Sequence, residues 1–228
     1  MLKKIPFLLL IFFFSCKAQD KVKGSRNVKT EQYNLTSFNA IQIKGDFEVG
    51  ILKGNRPMIE IEADDNVHDL IQTEVIDNVL FIKPIKELSR TKKQELRITF
   101  SDTLKNIIIA GNVELESLQD LYFGDFQLET RKDSKAFITL TSNKFNLIQS
   151  DDSEAELNIT ASEVEFQVNQ SSKVEALVNS PTFNVDIYEK ASARIDGEIH
   201  NFTIRADQSS KFDGENLTSN IANVLAQG

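Results

Sequence analysis

The chain has 228 residues, of which 40% are hydrophobic and 26% are charged, a composition typical of a folded protein rather than a disordered one. Its formal net charge is −8, from 26 Lys and Arg against 34 Asp and Glu. Such a chain lacks the basic footprint that nucleic acid requires, and its charge also argues against broad electrostatic binding to anionic lipid.

The first 15 residues predict export. Lys3 and Lys4 precede an apolar run over residues 5–14, which is shorter than the roughly 20 residues that a membrane-spanning helix needs. A short basic start followed by such a run is typical of a signal peptide, here residues 1–15. Removal of this segment would take away both lysines and change the net charge from −8 to −10.

The only cysteine of the sequence, Cys16, follows directly. Residues 13–16 (FFSC) resemble the lipobox of bacterial lipoproteins, in which a small residue precedes the lipidated cysteine, although Phe13 replaces the usual leucine. We therefore expect Cys16 to carry lipid and to anchor the chain to a membrane. The alternative is an ordinary signal peptide with an unmodified cysteine. Lys17, in a position where Asp would retain a lipoprotein at the inner membrane, implies the outer membrane of a Gram-negative bacterium. The domain would face either the periplasm or the cell surface.

The rest of the chain divides into two segments by composition. Residues 16–32 are polar, charged and without periodicity, which predicts a flexible tether. From residue 33 to residue 228 we expect a single domain, because apolar residues alternate with polar ones as in half-buried strands. The alternation is clearest in six groups: Ile41 and Ile43; Phe47, Val49 and Ile51; Ile59, Ile61 and Ala63; Leu80 and Ile82; Leu96, Ile98 and Phe100; Ile107 and Ile109.

Turn signals separate these expected strands. Gly45 with Asp46 and Gly111 with Asn112 are two of them. Residues 66–76 have apolar residues at a spacing compatible with a helical turn, and residues 83–94 are expected to form a polar, basic loop.

A block of nineteen residues then recurs five times without an insertion between Phe126 and Phe212. Equivalent positions in successive blocks form what we call columns. A unit of this size cannot bury its apolar face alone, so it must stack on copies of itself. We expect Ile221 to continue the first column in a partial last unit. Three apolar columns define the repeat: Phe126, Phe145, Val164, Phe183 and Phe202; Leu128, Leu147, Phe166, Val185 and Ile204; Ala136, Ala155, Val174, Ala193 and Phe212.

The repeat predicts an all-β, single-domain parallel β-helix, or β-solenoid, with about 19 residues per coil from about residue 126. Each unit supplies two short strands joined by charged turns, and equivalent strands of neighbouring units lie parallel, roughly 4.8 Å apart. The crossover rule favours right-handed coiling. A left-handed hexapeptide helix would need an apolar residue every sixth position, and the sixth residue after Phe126 is Lys132.

Three runs in the first half of the domain carry a family resemblance: FNAIQIKGDFEV (38–49), IEIEADDN (59–66) and LKNIIIAG (104–111). In this order they resemble the autotransporter adhesin head domain of bacteria, also called the head GIN domain, a domain of unknown function. The resemblance extends over about residues 33–228. It implies a β-helix without a recognised catalytic set, and a role in adhesion or another surface interaction. The glycine- and serine-rich turns typical of the family are mostly replaced here, which argues against a ligand that depends on glycine turns.

Candidate chemistry is sparse. His68 and His200 lie outside any metal-ligand spacing, and we expect both to be exposed loop residues. Asp133, Asp151 and Asp152 fall at the turns of two successive coils. We expect these carboxylates to be solvated turn charges, and a weak contact with Ca²⁺ or a glycan is the alternative. The sequence predicts no catalytic residue, no metal site and no cofactor.

The sequence as a whole predicts a non-catalytic lipoprotein of the cell envelope. Its adhesin-like β-helix would bind a glycan or an envelope or surface protein, and its contact with the membrane would be the lipid anchor. Two alternatives stay open. One is a carbohydrate-active enzyme of the polysaccharide lyase or glycosidase type, because β-helices often carry these activities. The other is a periplasmic structural or assembly factor.

Overall fold

The computed structural model describes residues 21–227, and most of this part of the chain is β-strand. One turn of 3-10 helix, His68–Leu70, is the only helical element among the described residues. The described part of the chain therefore has no helix long and apolar enough to cross a membrane. The strands in chain order are β1 (Val22–Lys23), β2 (Val28–Asn34), β3 (Ala40–Lys53), β4 (Met58–Asp64), β5 (Ile71–Ile76), β6 (Val79–Pro84), β7 (Leu88–Ser89), β8 (Gln94–Phe100), β9 (Asn106–Ser117), β10 (Leu121–Tyr122), β11 (Asp125–Arg131), β12 (Lys135–Ser150), β13 (Glu154–Val168), β14 (Lys173–Ile187), β15 (Ser192–Asp207), β16 (Lys211–Asp213) and β17 (Leu217–Gln227).

Strands β11 to β15 form a solenoid of parallel coils. Residues nineteen apart are ladder partners, so Phe126 pairs with Phe145 and Phe183 pairs with Phe202. Inside β12 the buried positions change phase between Leu140 and Phe145, which shows that this strand turns a corner and lines the core from two sides. The parallel β-helix and its nineteen-residue coil are therefore confirmed.

A row of stacked phenylalanines runs along the solenoid axis. It leaves the first column at Val164, and the ring comes instead from Phe166, which meets Phe183 edge-on at a centroid separation of 4.8 Å. The row therefore continues through a coil whose own column lacks an aromatic residue. Its members, at neighbouring centroid separations between 4.1 and 6.1 Å, are Phe100, Phe123, Phe126, Phe145, Phe166, Phe183, Phe202 and Phe212.

The turns between the two sides of the core use left-handed backbone. Left-handed backbone costs an ordinary L-residue roughly 1–2 kcal/mol. These turns therefore store strain at exposed positions. In four successive coils both central residues have φ between +52° and +67°: Lys132 and Asp133, Asp151 and Asp152, Gln170 and Ser171, Glu189 and Lys190.

A serine follows the left-handed pair in most coils and points into the corner of the core. Ser134, Ser153 and Ser172 are each 0% exposed. The Ser153 hydroxyl donates a hydrogen bond to the carbonyl oxygen of Thr130 at 3.1 Å, and the Ser134 hydroxyl accepts one from the backbone N–H of Arg131 at 3.0 Å. These hydroxyls therefore satisfy backbone groups that the tight turn would otherwise leave buried and unpaired.

The two preceding coils make the equivalent turn with glycine. Gly45 and Gly111 are ladder partners with φ of +145° and +84°. A Cβ atom on Gly111 would lie 2.6 Å from the carbonyl oxygen of Gly45, so the close approach of two coils excludes a side chain here.

Antiparallel strands close the N-terminal end of the solenoid. Strands β6 and β8 pair in parallel with β3, and β5 and β4 then extend them in the antiparallel sense. Strand β2 pairs antiparallel with β4. Ordered strands β1 and β2 thus lie in or overlap residues 16–32, the segment for which the sequence predicts a flexible tether.

Asp64 holds this end together. Its side chain is fully buried and accepts hydrogen bonds from the backbone N–H groups of Arg26 at 2.7 Å, Lys92 at 2.9 Å and Lys93 at 3.3 Å. One carboxylate therefore joins the chain entering β2 to the chain entering β8.

In the segment 66–76, residues 66–67 form a turn, the single 3-10 turn follows, and β5 occupies residues 71–76. His68 in that turn is 6% exposed, and its Nε2 atom lies 3.0 Å from the carbonyl oxygen of Lys29. The prediction that His68 is an exposed loop residue was wrong, because the antiparallel strands cover it.

The last coil departs from the nineteen-residue spacing. Ala193 still pairs with Phe212, but Gly197 pairs with Leu217, twenty residues on. The extra residue lies between β16 and β17. Consequently Ala222 pairs with Phe202, and the prediction that Ile221 continues the first column was wrong.

The strain in the turns leads to a stability prediction. In Lys190→Gly, relief of a left-handed conformation at φ +67° should exceed the added entropy of glycine in the unfolded chain, so the free energy of unfolding should rise by about 0.5–1 kcal/mol. Urea unfolding measures the change. The control is Lys190→Ala, which keeps the strained backbone and should show no gain. Equal stability of the two variants would contradict this account of the turns.

Asp207 leads to a pH prediction. Its carboxylate accepts hydrogen bonds from the backbone N–H of Glu189 and from the hydroxyls of Ser210 and Ser209, and these bonds hold its pKa well below the ordinary value. A lowered pKa contributes stability that is complete above pH about 4 and is lost as the pH falls below it. Asp207→Asn should therefore lower the urea midpoint at pH 6, and the difference from wild type should shrink toward pH 2. Asp125→Asn, at an exposed carboxylate, is the control; a difference for Asp207→Asn that does not change with pH would refute the assignment.

Candidate functional site

The three aspartates singled out from the sequence lie in the left-handed turns. The backbone N–H of Asp133 donates to the carbonyl oxygen of Asp151 at 3.1 Å, and that of Asp152 donates to the carbonyl oxygen of Gln170 at 3.0 Å. Aspartate tolerates left-handed backbone better than most residues, which gives Asp133, Asp151 and Asp152 a role in the turn itself. Their contact with a ligand stays a prediction.

Metal ligands do not converge in the described residues: no group of three or more His, Cys, Asp and Glu there could hold a metal ion. Cys16, the predicted lipidation site, lies outside the described residues.

An extended concave surface lies elsewhere, on the outward side of the strands that precede the corners. Two adjoining depressions of about 580 and 490 Å³ share Glu116 and Phe137 and together form what we call the groove. It crosses the coils along the solenoid axis. The lining residues are Glu48, Val49, Gly50, Glu95, Leu96, Arg97, Glu114, Glu116, Ser117, Leu118, Phe137, Ile138, Thr139, Glu156, Leu157, Asn158, Glu175, Ala176, Leu177, Arg194 and Asp196.

The ladder register builds the floor of the groove from two outward columns. Successive ladder pairs bring these side chains together, each about 4.8 Å from the next. The sequence folds this way locally because the residues of these columns alternate along each strand with apolar residues that are buried in the core. One column contains Glu116, Phe137, Glu156, Glu175 and Arg194, and the other contains Thr139, Asn158, Leu177 and Asp196.

The groove is strongly acidic. Seven carboxylates line it, against the two guanidinium groups of Arg97 and Arg194. Arg97 is itself engaged, since its Nη1 atom lies 3.4 Å from a carboxylate oxygen of Glu60. Glu156 and Glu175 face each other across neighbouring strands, and like-charged side chains in this position destabilise the fold. A surface that keeps such a pair sacrifices stability at this place.

A third column consists of carboxylates, three of which line the groove, and lysines beside this column reduce the repulsion between them. Lys93 Nζ lies 2.6 Å from a carboxylate oxygen of Glu62 and 2.8 Å from one of Glu95. These two hydrogen bonds raise the pKa of Lys93 above its ordinary value, and the bond to Glu62 contributes the most. Lys135 Nζ lies 3.6 Å from Glu114. The column runs through Glu62, Glu95, Glu48 and Glu114.

Apolar side chains interrupt the acidic surface. Phe137, Leu118 and Leu177 are 37%, 45% and 44% exposed, respectively. Phe137 sits between Glu116 and Glu156 in its column. The groove therefore offers carboxylates as hydrogen-bond acceptors beside exposed apolar side chains.

Sequence reasoning missed the groove. The signal was present in the nineteen-residue alignment, where Phe137 and Leu177 are large apolar residues in outward columns that otherwise hold polar ones. The first half of the groove could not be predicted from the repeat, because Glu48 and Glu95 are brought together by the irregular N-terminal strands.

Fold and groove together define a parallel β-solenoid with an extended concave surface along its side. The chain belongs to the family described as "Putative auto-transporter adhesin, head GIN domain", whose model matches residues 37–178. The resemblance found in the sequence is thus confirmed at the level of the family. No curated protein matches this chain.

Several solved structures share the fold over almost the whole chain. A putative adhesin from Parabacteroides distasonis superposes with a TM-score of 0.75 at 16% identity, covering 92% of this chain and 98% of its own. A putative adhesin from Parabacteroides merdae gives 0.69 at 19% identity, with 92% and 100% covered. A putative lipid binding protein from Parabacteroides distasonis gives 0.67 at 16% identity, with 92% and 98% covered.

Proposed function

We propose that this protein is a non-catalytic, adhesin-like binding module of the bacterial cell envelope, and that its groove holds an extended partner. The observation that carries the proposal is the continuity of the groove across the coils, through Glu116 and Phe137. A partner that extends along the axis would meet acceptors and apolar faces repeated at the coil spacing. The family to which the chain belongs supports a role in surface contact.

The charge of the groove defines the chemistry of the partner. Seven carboxylates in a groove repel uronic acids, sulfated sugars and phosphates, so an acidic polysaccharide is a poor ligand. A neutral glycan suits the surface best, because its hydroxyls can donate to carboxylates while the apolar face of a sugar ring packs on Phe137. A cationic polypeptide segment is the second candidate, and the excess of carboxylates favours it.

The relatives are named as adhesins or as a lipid-binding protein, and not as enzymes, which supports binding rather than cleavage. A glycosidase would need two carboxylates at a defined separation with different protonation states. Glu156 and Glu175 are ladder partners in the groove, and their side-by-side position in one column is also what a row of acceptors for a bound chain requires.

We further propose that lipid on Cys16 anchors the chain in the outer membrane. Strand β1 begins at Val22, six residues after Cys16, so the lipid would lie close to the N-terminal end of the solenoid. The groove begins at that end and runs away from it. An anchored solenoid would therefore present its groove as a surface extending outward from the membrane.

The groove can be tested with residues 21–228 of the chain, which contain the hydrophobic core that the structure describes. Phe137→Ala should weaken binding of a neutral glycan found by array screening about tenfold or more, because it removes the central apolar contact. Isothermal titration calorimetry measures the dissociation constant. Tyr122→Ala, at a side chain that is 67% exposed and outside the groove, is the matched control and should leave binding unchanged.

Salt separates the two candidate partners. Binding of a neutral glycan should change little between 50 and 500 mM NaCl, whereas binding of a cationic polypeptide should weaken strongly. Equal weakening by Phe137→Ala and Tyr122→Ala would place the contact elsewhere. Cleavage of any bound glycan would overturn the non-catalytic proposal.

The anchor has its own test. In cells fed labelled palmitate, the wild-type chain should incorporate label and sediment with membranes, and Cys16→Ala should do neither, because the thiol is the group that is alkylated. Ser15→Ala keeps a small residue before the cysteine and serves as the control. Label that persists in Cys16→Ala would disprove lipidation at this residue.

A further inference from the structure

Strand β17 is the last strand of the solenoid in the described part of the chain. It pairs in parallel with β15 along one edge, and no described strand pairs with its other edge. Its backbone N–H and C=O groups on that side are therefore open to a further strand.

Apolar side chains accompany this open edge. Ile221, Val224 and Leu225 are 52%, 71% and 53% exposed. Val224 lies on the inward side, since its ladder partner is Ile204, which is only 3% exposed. The end of the hydrophobic core is thus uncovered at β17, and a partner stacked there would bury it.

The sequence of β17 offers none of the usual protection of an edge strand. The eleven residues Leu217–Gln227 contain no charged residue and no proline, in a chain that is 26% charged. The edges at the other end of the solenoid differ: β2 carries Lys29 and Glu31, and β5 carries Glu74. Charged residues on natural edge strands prevent unwanted pairing with other strands. Their absence from β17 therefore indicates an edge that pairs with a further strand.

We propose that the partner is a second copy of this chain, joined by antiparallel pairing of β17 with β17 across a two-fold axis. A strand paired antiparallel with itself is self-complementary, as a two-fold interface requires. The sheets of the two solenoids would then be continuous, and Val224 would be covered from the other side. The pairing is independent of the function proposed for the groove.

Charge and position favour this occupant. Two copies of net charge −8 repel each other at most contacts, and repulsion is weakest where an uncharged strand meets its own copy. The N-terminal segment enters the fold at the opposite end, where β2 lies nine ladder steps or about 43 Å from β17. Head-to-tail stacking is disfavoured, because both edge strands at the N-terminal end carry charged residues and one of them, β5, runs antiparallel to the coils.

The size of the end face sets the strength of the dimer. Strand β17 follows β15 around the corner of the coil, so its straight part is residues 221–227, which span about 23 Å. A coil with two sheets about 10 Å apart and its outer side chains is about 20 Å wide, giving about 460 Å². Stable interfaces bury about 800 Å² on each partner, so we expect a weak, reversible dimer.

The first test is the oligomeric state of residues 21–228 by analytical ultracentrifugation from 1 to 200 µM. We expect a monomer–dimer equilibrium in the wild type. The double variant Ile221→Lys with Asn223→Lys should raise the dimer dissociation constant at least tenfold. Tyr33→Lys, on the exposed face of β2, is the matched control and should leave it unchanged. Circular dichroism and the thermal midpoint establish that each variant is folded.

A second test does not depend on disruptive variants. Residues 21–228 contain no cysteine, so a single Asn223→Cys near the centre of β17 should form an intermolecular disulfide under mild oxidation, since directly paired Cβ atoms lie about 4.5–5.5 Å apart. Tyr33→Cys should not. A wild type that stays monomeric at 200 µM, equal cross-linking at both sites, or a dimer that disappears when residues 1–20 are present would each overturn the proposal; the last result would assign β17 to the N-terminal segment.

Discussion

The hydrogen-bonded ladder between equivalent residues of neighbouring coils is the constraint on which the rest of this structure depends. Parallel pairing at a spacing of nineteen residues places like positions directly above one another. An apolar residue that recurs in an inward position then becomes part of a continuous core, and an outward residue becomes part of a surface column. The aromatic row, the buried serines and the floor of the groove are all consequences of this one register.

Much of the fold could be predicted because this register is written in the sequence as a strict repeat. Alternation identified the strands of the first half, and columns such as that of Phe126 identified the coils. The ends could not be predicted in the same way. A one-residue extension between β16 and β17 moves Ala222, rather than Ile221, onto Phe202, and no local signal distinguishes the two. His68 is buried by strands distant in sequence, so its surroundings depend on pairing that periodicity does not reveal.

The candidate site was less predictable than the fold for a related reason. Charged turn residues such as Asp152 are obvious site candidates in a sequence. In the structure Asp152 occupies a left-handed turn position, a conformation that aspartate tolerates better than most residues. The groove instead consists of outward residues that look ordinary one at a time. Its character comes from the stacking of Glu156 beside Glu175, and of Phe137 between two glutamates, which only the three-dimensional register creates.

Because the nineteen-residue unit is uninterrupted, the length of the solenoid can change without a change in the shape of its cross-section. Loss or gain of one whole unit would leave every remaining column in register and change the axial dimension by only about 4.8 Å. A one-residue change inside a coil would instead expose buried positions along all that follows. Unequal recombination between units could therefore adjust how far such a domain projects, in small and structurally neutral increments, while the contact surface along its side lengthens or shortens in proportion.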